Sequence, residues 1–146
     1  MKIRRTMFCV LFGLLIVSGC TSTKSIASLN NGEYFKESPT IASYKGRYFM
    51  RFVYSDNEGV FAFFMMPQSK VNSDSLIYYL PVTSSSGDLK GKTQFQEIIK
   101  ENEIEIIKKK KVFWEEPDGS LVVMFIEQLK DEEIKLLPRT EIEKEK

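Results

Sequence analysis

Alternating side chains over residues 44–54 constrain the fold of this chain most. Aromatic or apolar residues, with one glycine, occupy every second position there, and three basic residues fall on the other parity. A period of two sends successive side chains to opposite faces, which is typical of a half-buried β-strand. A turn-forming cluster at 56–59 and a second apolar run at 60–66 follow. We therefore predict a β-hairpin over 44–66.

A second hairpin is predicted over 106–128. Its turn is Pro117-Asp118-Gly119, in which proline presets one φ and glycine accepts a left-handed conformation. The β-forming run after the turn needs a partner strand of similar length, and Val112-Phe113-Trp114 supplies one. Residues 103–111 are ambiguous, because they either continue a preceding helix or begin the first strand of this hairpin.

One short helix is predicted near 94–102. Thr93 is a candidate N-cap, and the apolar residues that follow share one helical face. Together these elements predict an α+β fold, in which one helix packs on a mainly antiparallel sheet of about five strands. A small β-sandwich or an open barrel is the alternative.

The chain is predicted to form a single globular domain with two flexible flanks. Residues 20–43 are rich in Ser, Thr, Asn and Gly, a composition typical of a flexible tether. The alternative for Tyr34 and Phe35, within this segment, is packing against the domain. The β-rich domain is predicted over 44–129. Residues 130–146 are predicted to be a charged C-terminal tail, with a short helix at its start.

The N-terminal residues have the pattern of a secretory signal. Residues 1–5 carry three basic side chains and no acid, and residues 7–17 are apolar throughout. Small residues then precede Cys20. A charged start, an apolar core and a small-residue processing site are typical of a signal peptide, here residues 1–19. Eleven apolar residues are too few for a spanning helix, which needs about 20.

The four residues Val17-Ser18-Gly19-Cys20 resemble the lipobox of bacterial lipoproteins. The resemblance implies cleavage between Gly19 and Cys20 and a diacylglycerol on the Cys20 sulfur. Thr21 stands where an Asp would retain the protein in the inner membrane, so the resemblance implies the outer membrane of a Gram-negative bacterium, facing the periplasm. Two or three acyl chains hold a protein on a membrane far more firmly than one.

The residue types that remain after processing exclude several chemistries. The sequence contains no histidine, and its two cysteines are Cys9, in the signal, and Cys20. Catalysis by Ser-His-Asp or Cys-His and the usual zinc sites are therefore excluded. Removing residues 1–19 leaves 18 basic and 20 acidic residues, so charge gives no general case for nucleic-acid binding. We predict no enzyme activity, no cofactor and no metal.

A run of four lysines is the most conspicuous charge feature. It favours a lysine-protected edge strand, and the functional alternative is contact with anionic lipid headgroups; the run comprises Lys108, Lys109, Lys110 and Lys111. The predicted function is a non-enzymatic, lipid-anchored envelope protein that binds another envelope protein as an interaction or accessory module. The alternative is a carrier of a small apolar ligand, held in a pocket lined by the aromatic strands.

Overall fold

The computed structural model of the chain describes residues 26–30, 32, 34–56, 62–64, 67–84 and 89–139. Within these ranges the chain forms ten strands, one α-helix and one 3-10 helix. In chain order they are β1 (Phe35–Tyr44), β2 (Arg47–Tyr54), β3 (Ala62–Phe64), β4 (Gln68–Asn72), β5 (Ser75–Tyr79), β6 (Val82–Ser84), β7 (Thr93–Ile98), α1 (Glu101–Lys108), β8 (Val112–Glu115), β9 (Leu121–Val123), β10 (Ile126–Gln128) and the 3-10 helix (Asp131–Leu136).

Four strands form sheet 1, in the order β10-β1-β2-β7. Strands β1 and β2 are antiparallel and are joined at Lys45 and Gly46, whose φ angles are 48° and 79°. Two consecutive residues with positive φ match a two-residue turn of type I′, which suits the right-handed twist of a hairpin. Strand β7 pairs antiparallel with β2, and β10 pairs parallel with β1.

Four other strands form sheet 2, in the order β4-β5-β8-β9. Its central pair, β5 and β8, is parallel, and the two outer pairs are antiparallel. The turn between β8 and β9 closes with a hydrogen bond from the Gly119 N–H to the Glu116 carbonyl. Gly119 has a φ of 82°, as the turn sequence predicted. Strands β3 and β6 form a separate antiparallel pair.

The two four-stranded sheets share one hydrophobic core. Met50 and Tyr54 reach it from sheet 1, and Leu76 and Trp114 reach it from sheet 2, all at 2% exposure or less. The Trp114 indole N–H donates to the Ala27 carbonyl at 2.9 Å, which fixes the segment before β1 against this core.

Sheet 1 has a second apolar cluster on its outer face. It comprises Ala42, Phe49, Phe95 and Leu129, with Ile134 and Leu137 from the 3-10 helix region packed against it. The C-terminal segment therefore covers this face.

The α+β class is confirmed, and the arrangement of its elements differs from the prediction. The single sheet of about five strands is replaced by two open four-stranded sheets and a two-stranded pair. The hairpin over 44–66 is wrong, because β2 pairs with β1 and β7, while β3 pairs with β6. The hairpin over 106–128 is confirmed only between β8 and β9, since β10 crosses to sheet 1.

The helix near 94–102 is also wrong. Residues 93–98 form β7, because six consecutive backbone pairs with β2 bury Phe95 and Ile98 on opposite faces of the sheet. The helix starts later and occupies most of the ambiguous stretch 103–111, leaving the strand to begin at Val112.

The described parts of both predicted flanks, from Ile26 on the N-terminal side and up to Arg139 on the C-terminal side, belong to the domain. The tether of 20–43 is wrong from Ile26 onward, since Ala27, Leu29 and Ile41 are at most 4% exposed and β1 is an inner strand of sheet 1. The tail of 130–146 is wrong over its first part, where Glu133 is buried. Its predicted short helix is present as the 3-10 helix.

Candidate functional site

A cavity of about 280 Å³ opens between the two sheets where α1 begins. Apolar side chains from β2, β7 and the loop before α1 line much of it, together with a buried carboxylate of α1. The lining residues are Met50, Pro67, Ser69, Tyr78, Gln96, Glu97, Ile98, Ile99, Lys100 and Glu103.

Glu103 is the buried carboxylate of this cavity, at 5% exposure. The Ser69 hydroxyl and the Lys100 ammonium donate to its Oε1 at 2.6 and 3.0 Å. The Tyr78 hydroxyl donates to its Oε2 at 2.8 Å. Burial opposes ionisation of Glu103, but these three hydrogen bonds outweigh it and hold the pKa below its ordinary value. Burial, reinforced by the charge of Glu103, raises the pKa of Tyr78.

The second carboxylate of the cavity, Glu97, is paired with a cation. Glu97 accepts two hydrogen bonds from the Arg47 guanidinium, at 2.7 and 2.8 Å. The hydrogen bond from Arg47 lowers the pKa of Glu97. A general acid at neutral pH needs a raised carboxyl pKa, and both carboxylates have the opposite shift. The cavity is therefore a small space lined by apolar side chains and by two ionised carboxylates that are held by hydrogen bonds.

The outer face of sheet 2 is the second candidate site. On β8 and β9, Val112, Trp114 and Val122 pack into the core. Successive side chains of a strand point to opposite faces, so Phe113, Leu121 and Val123 point to the outer face of sheet 2. Leu121 and Val123 are 49% and 57% exposed, and Phe125, two residues further along, is 74% exposed. We call Leu121, Val123 and Phe125 the β9 strip. Sheet 1 has its outer face covered by the C-terminal segment, whereas the β9 strip lies open to solvent.

A shallow groove of about 370 Å³ borders the same face of sheet 2. Ile26 lines it together with Lys70, Tyr79 and Glu115. The Lys70 ammonium pairs with Glu115 at 2.8 Å and lies 4.7 Å from the centre of the Tyr79 ring. Ile26, the first described residue of the chain, therefore lies beside this face.

The four lysines lie at the end of α1 and in the turn to β8. Lys108 pairs with Glu105 at 2.7 Å, and Lys111 pairs with Asp74. Lys109 and Lys110 are exposed, and Lys110 adopts a φ of 58° where the helix ends. Cations at a helix C-terminus are favoured by its dipole. The favoured interpretation of the run, a lysine-protected edge strand, is wrong, because the following strand β8 lies inside sheet 2.

A buried ion cluster on sheet 1 was not predicted from the sequence. Arg51, 3% exposed, donates to Glu133 at 2.7 and 3.1 Å and to Glu37 at 2.7 Å. Thr40 completes the cluster by donating to Glu127 at 2.6 Å. The cluster fastens the 3-10 helix to sheet 1. A basic residue within an apolar strand was its only sequence signal.

The predicted processing and lipidation residues, Gly19 and Cys20, lie outside the described residues, as does the whole of 1–25. Among the residues that are described, no helix is long and apolar enough to cross a membrane. The same residues contain no group of three or more acidic, His or Cys side chains placed to hold a metal ion. No family model matches the chain, and comparisons with curated proteins and with solved structures gave no match.

Proposed function

We propose that this protein is a non-enzymatic lipoprotein of the bacterial envelope, anchored by acyl chains on Cys20, whose domain binds another envelope protein. One observation carries the interaction role: the β9 strip stays exposed while the equivalent face of sheet 1 is covered. Exposed apolar surface of this kind marks interaction sites when it is contiguous. The lipobox resemblance supports the anchor.

The position of Ile26 supports an orientation relative to the membrane. Ile26 borders the outer face of sheet 2, and five residues lie between it and Cys20, which makes six steps along the chain. A chain spans at most about 3.3–3.6 Å per residue, so an acylated Cys20 keeps Ile26 within roughly 20 Å of the bilayer. The partner of the β9 strip is therefore a protein at or in the same membrane. Lys109 and Lys110 remain candidates for contact with anionic headgroups.

The anchor is tested by comparing Cys20→Ser with Cys9→Ser in the full-length chain. Both variants lose one thiol, but Cys9 lies in the segment that processing would remove. We expect Cys9→Ser to remain in the detergent-soluble membrane fraction and Cys20→Ser to leave it. Membrane retention of a Cys20→Ser chain that has lost residues 1–19 would overturn the anchor, because neither the signal segment nor a lipid would then hold it.

The interaction role is tested by placing a photo-crosslinking amino acid at Phe125 in intact cells. Val71 provides the matched control, because it is also apolar and 44% exposed but lies on β4, the opposite edge of sheet 2. We expect one discrete cross-linked protein from position 125 and none of that mass from position 71. Identical products from both positions would contradict a specific interface.

A second candidate function is the binding of a small apolar ligand in the Glu103 cavity. Its lining by Met50, Ile98 and Ile99 supports this reading, although its volume is just below the range of about 300–1,000 Å³ usual for ligand pockets. Native mass spectrometry of the purified protein tests it. A small non-covalent adduct that Ile98→Trp abolishes would favour the carrier role.

A further inference from the structure

Strand β9 forms one free edge of sheet 2. Within the described ranges, only β8 pairs with it. Natural edge strands are usually protected by lysine, proline or a bulge, because open backbone groups invite pairing with another chain. The sequence of β9 is Leu-Val-Val, with none of these protections and no charge.

The hydrogen bonds to β8 determine which backbone groups of β9 are open. Two bonds flank the ladder, from the Met124 N–H to the Val112 carbonyl at 3.0 Å and from the Glu116 N–H to the Ser120 carbonyl at 2.9 Å. In an antiparallel ladder, hydrogen-bonded pairs alternate with pairs whose N–H and C=O groups point away from the neighbour. Every second residue of β9 between these bonds therefore faces the free edge.

Those residues are Leu121 and Val123, the two ends of the strand. Their N–H and C=O groups point outward along the edge, and their side chains are half-exposed on the outer face. Val122, between them, bonds to β8 and packs toward the core. The open groups are thus placed symmetrically about Val122.

We propose that two copies of this protein pair through β9, antiparallel, about a twofold axis at Val122. Leu121 of one copy then lies opposite Val123 of the other, and the reverse pair forms on the far side of the axis. Each pair exchanges two hydrogen bonds, because both residues have their backbone groups on the free edge. The two sheets become one continuous sheet of eight strands.

Self-complementarity favours a second copy over another occupant. An isologous interface requires the same patch on both subunits. The open backbone groups of Leu121 and Val123 lie at equal distances from Val122, so two antiparallel β9 strands pair with each other in register. The absence of charge on β9 removes the like-charge penalty of self-pairing. The paired β9 strips form one apolar patch on a common outer face.

The proposed anchor is compatible with this dimer and strengthens it. A twofold axis perpendicular to the sheet keeps the outer faces of both copies, and hence both Ile26 residues, on the same side of the dimer. Two copies anchored in the same membrane can therefore pair while both anchors stay on the membrane side of the dimer. Confinement to a surface also raises the effective concentration of each copy. This concentration effect rests on the proposed lipid anchor, whereas the pairing geometry does not.

Cysteine cross-linking in the full-length chain tests the register. Chains carrying Leu121→Cys and Val123→Cys, distinguished by tags of different length, are co-expressed and oxidised in membranes. The proposed pair has its Cα atoms about 5.5 Å apart, within the range of about 4.4–6.8 Å that a disulfide accepts. Identical positions on the two copies are offset by two residues and lie roughly 8–9 Å apart, too far to bridge.

We expect a mixed disulfide dimer from the co-expressed chains and only the wild-type background from either variant alone. The wild-type chain measures any contribution of Cys9 and Cys20. Equal cross-linking of the single variants, or none from the mixture, would overturn the proposed register.

Native mass spectrometry of the whole protein in mild detergent tests the dimer independently. We expect a dimer for wild type and for Val71→Lys, and a monomer for Leu121→Lys, with Val123→Lys as a second variant should Leu121→Lys fail to fold. A monomeric wild type would overturn the proposal. Repeating the cross-linking with Cys20→Ser separates the two claims, because loss of the anchor leaves the mixed disulfide detectable if β9 pairing is correct.

Discussion

Replacing the buried Arg51 of sheet 1 with Met should destabilise the domain strongly. Arg51 is 3% exposed and is the only cation within 4 Å of Glu133 among the described residues. The substitution leaves the Glu133 carboxylate buried without a partner. Breaking a buried ion pair by removing one member costs about 3–5 kcal/mol. For a domain of this size that lowers Tm by roughly 12–20 °C.

The assay is urea unfolding of residues 21–146 produced without lipid, followed by the fluorescence of Trp114, the only tryptophan. Glu37→Gln is the matched control, since Glu37 also bonds Arg51 but its side chain is 47% exposed. An exposed pair contributes only about 0–1 kcal/mol. A loss below roughly 1 kcal/mol for Arg51→Met, equal to that of Glu37→Gln, would refute the role given to the cluster.

Three further substitutions test the fold and the cavity. Trp114→Phe should cost about 2–4 kcal/mol by circular dichroism, because it leaves a void and removes the donor to the buried Ala27 carbonyl. Glu103→Gln should be less stable than wild type by about 1–3 kcal/mol at pH 7. Because folding lowers the pKa of Glu103 from 4.5, the stability that its carboxylate contributes is fully present above that pH and is lost as the pH falls through the folded-state pKa. The stability difference between wild type and Glu103→Gln should therefore shrink in acid, and a difference that stays constant with pH would contradict this. Gly119→Ala should cost about 1–2 kcal/mol despite open space around its Cβ position, because its φ is 82°, whereas thermal melts of Gly32→Ala should match wild type.

The strand content of this fold could be predicted from sequence better than the pairing of the strands. Alternation over 44–54 located β2, but it counted Gly46 as a strand residue and so hid the Lys45-Gly46 turn. That turn makes β1 the partner of β2. The segment before it is rich in small polar residues and carries little strand propensity of its own, so only pairing with β2 and β10 determines its conformation.

The error at 93–102 has a similar cause. Phe95 and Ile98 are three residues apart, a spacing that suits one helical face. In a strand the same two residues lie on opposite faces, and sheet 1 is apolar on both. A strand covered on two sides loses its period of two, and so its local pattern resembles a helix.

The interaction surfaces were partly visible in the sequence. The lysine run was evident, but the partners of Lys108 and Lys111 depend on tertiary structure. The β9 strip was hidden inside a β-forming run that was expected to be one long strand. The chain instead leaves sheet 2 after Val123 and joins sheet 1 at Ile126, which exposes Phe125 at the crossing. Glu103 was unremarkable because burial of a helical glutamate cannot be read from local sequence.

The intact mass of the wild-type chain, purified from its own membranes in mild detergent, tests the central proposal most directly. A chain that begins at Cys20 and carries the added mass of two or three acyl chains is the predicted result. A chain that retains residues 1–19, or one that has lost them without any added lipid mass, would contradict the lipid anchor and with it the placement of the β9 strip at the membrane.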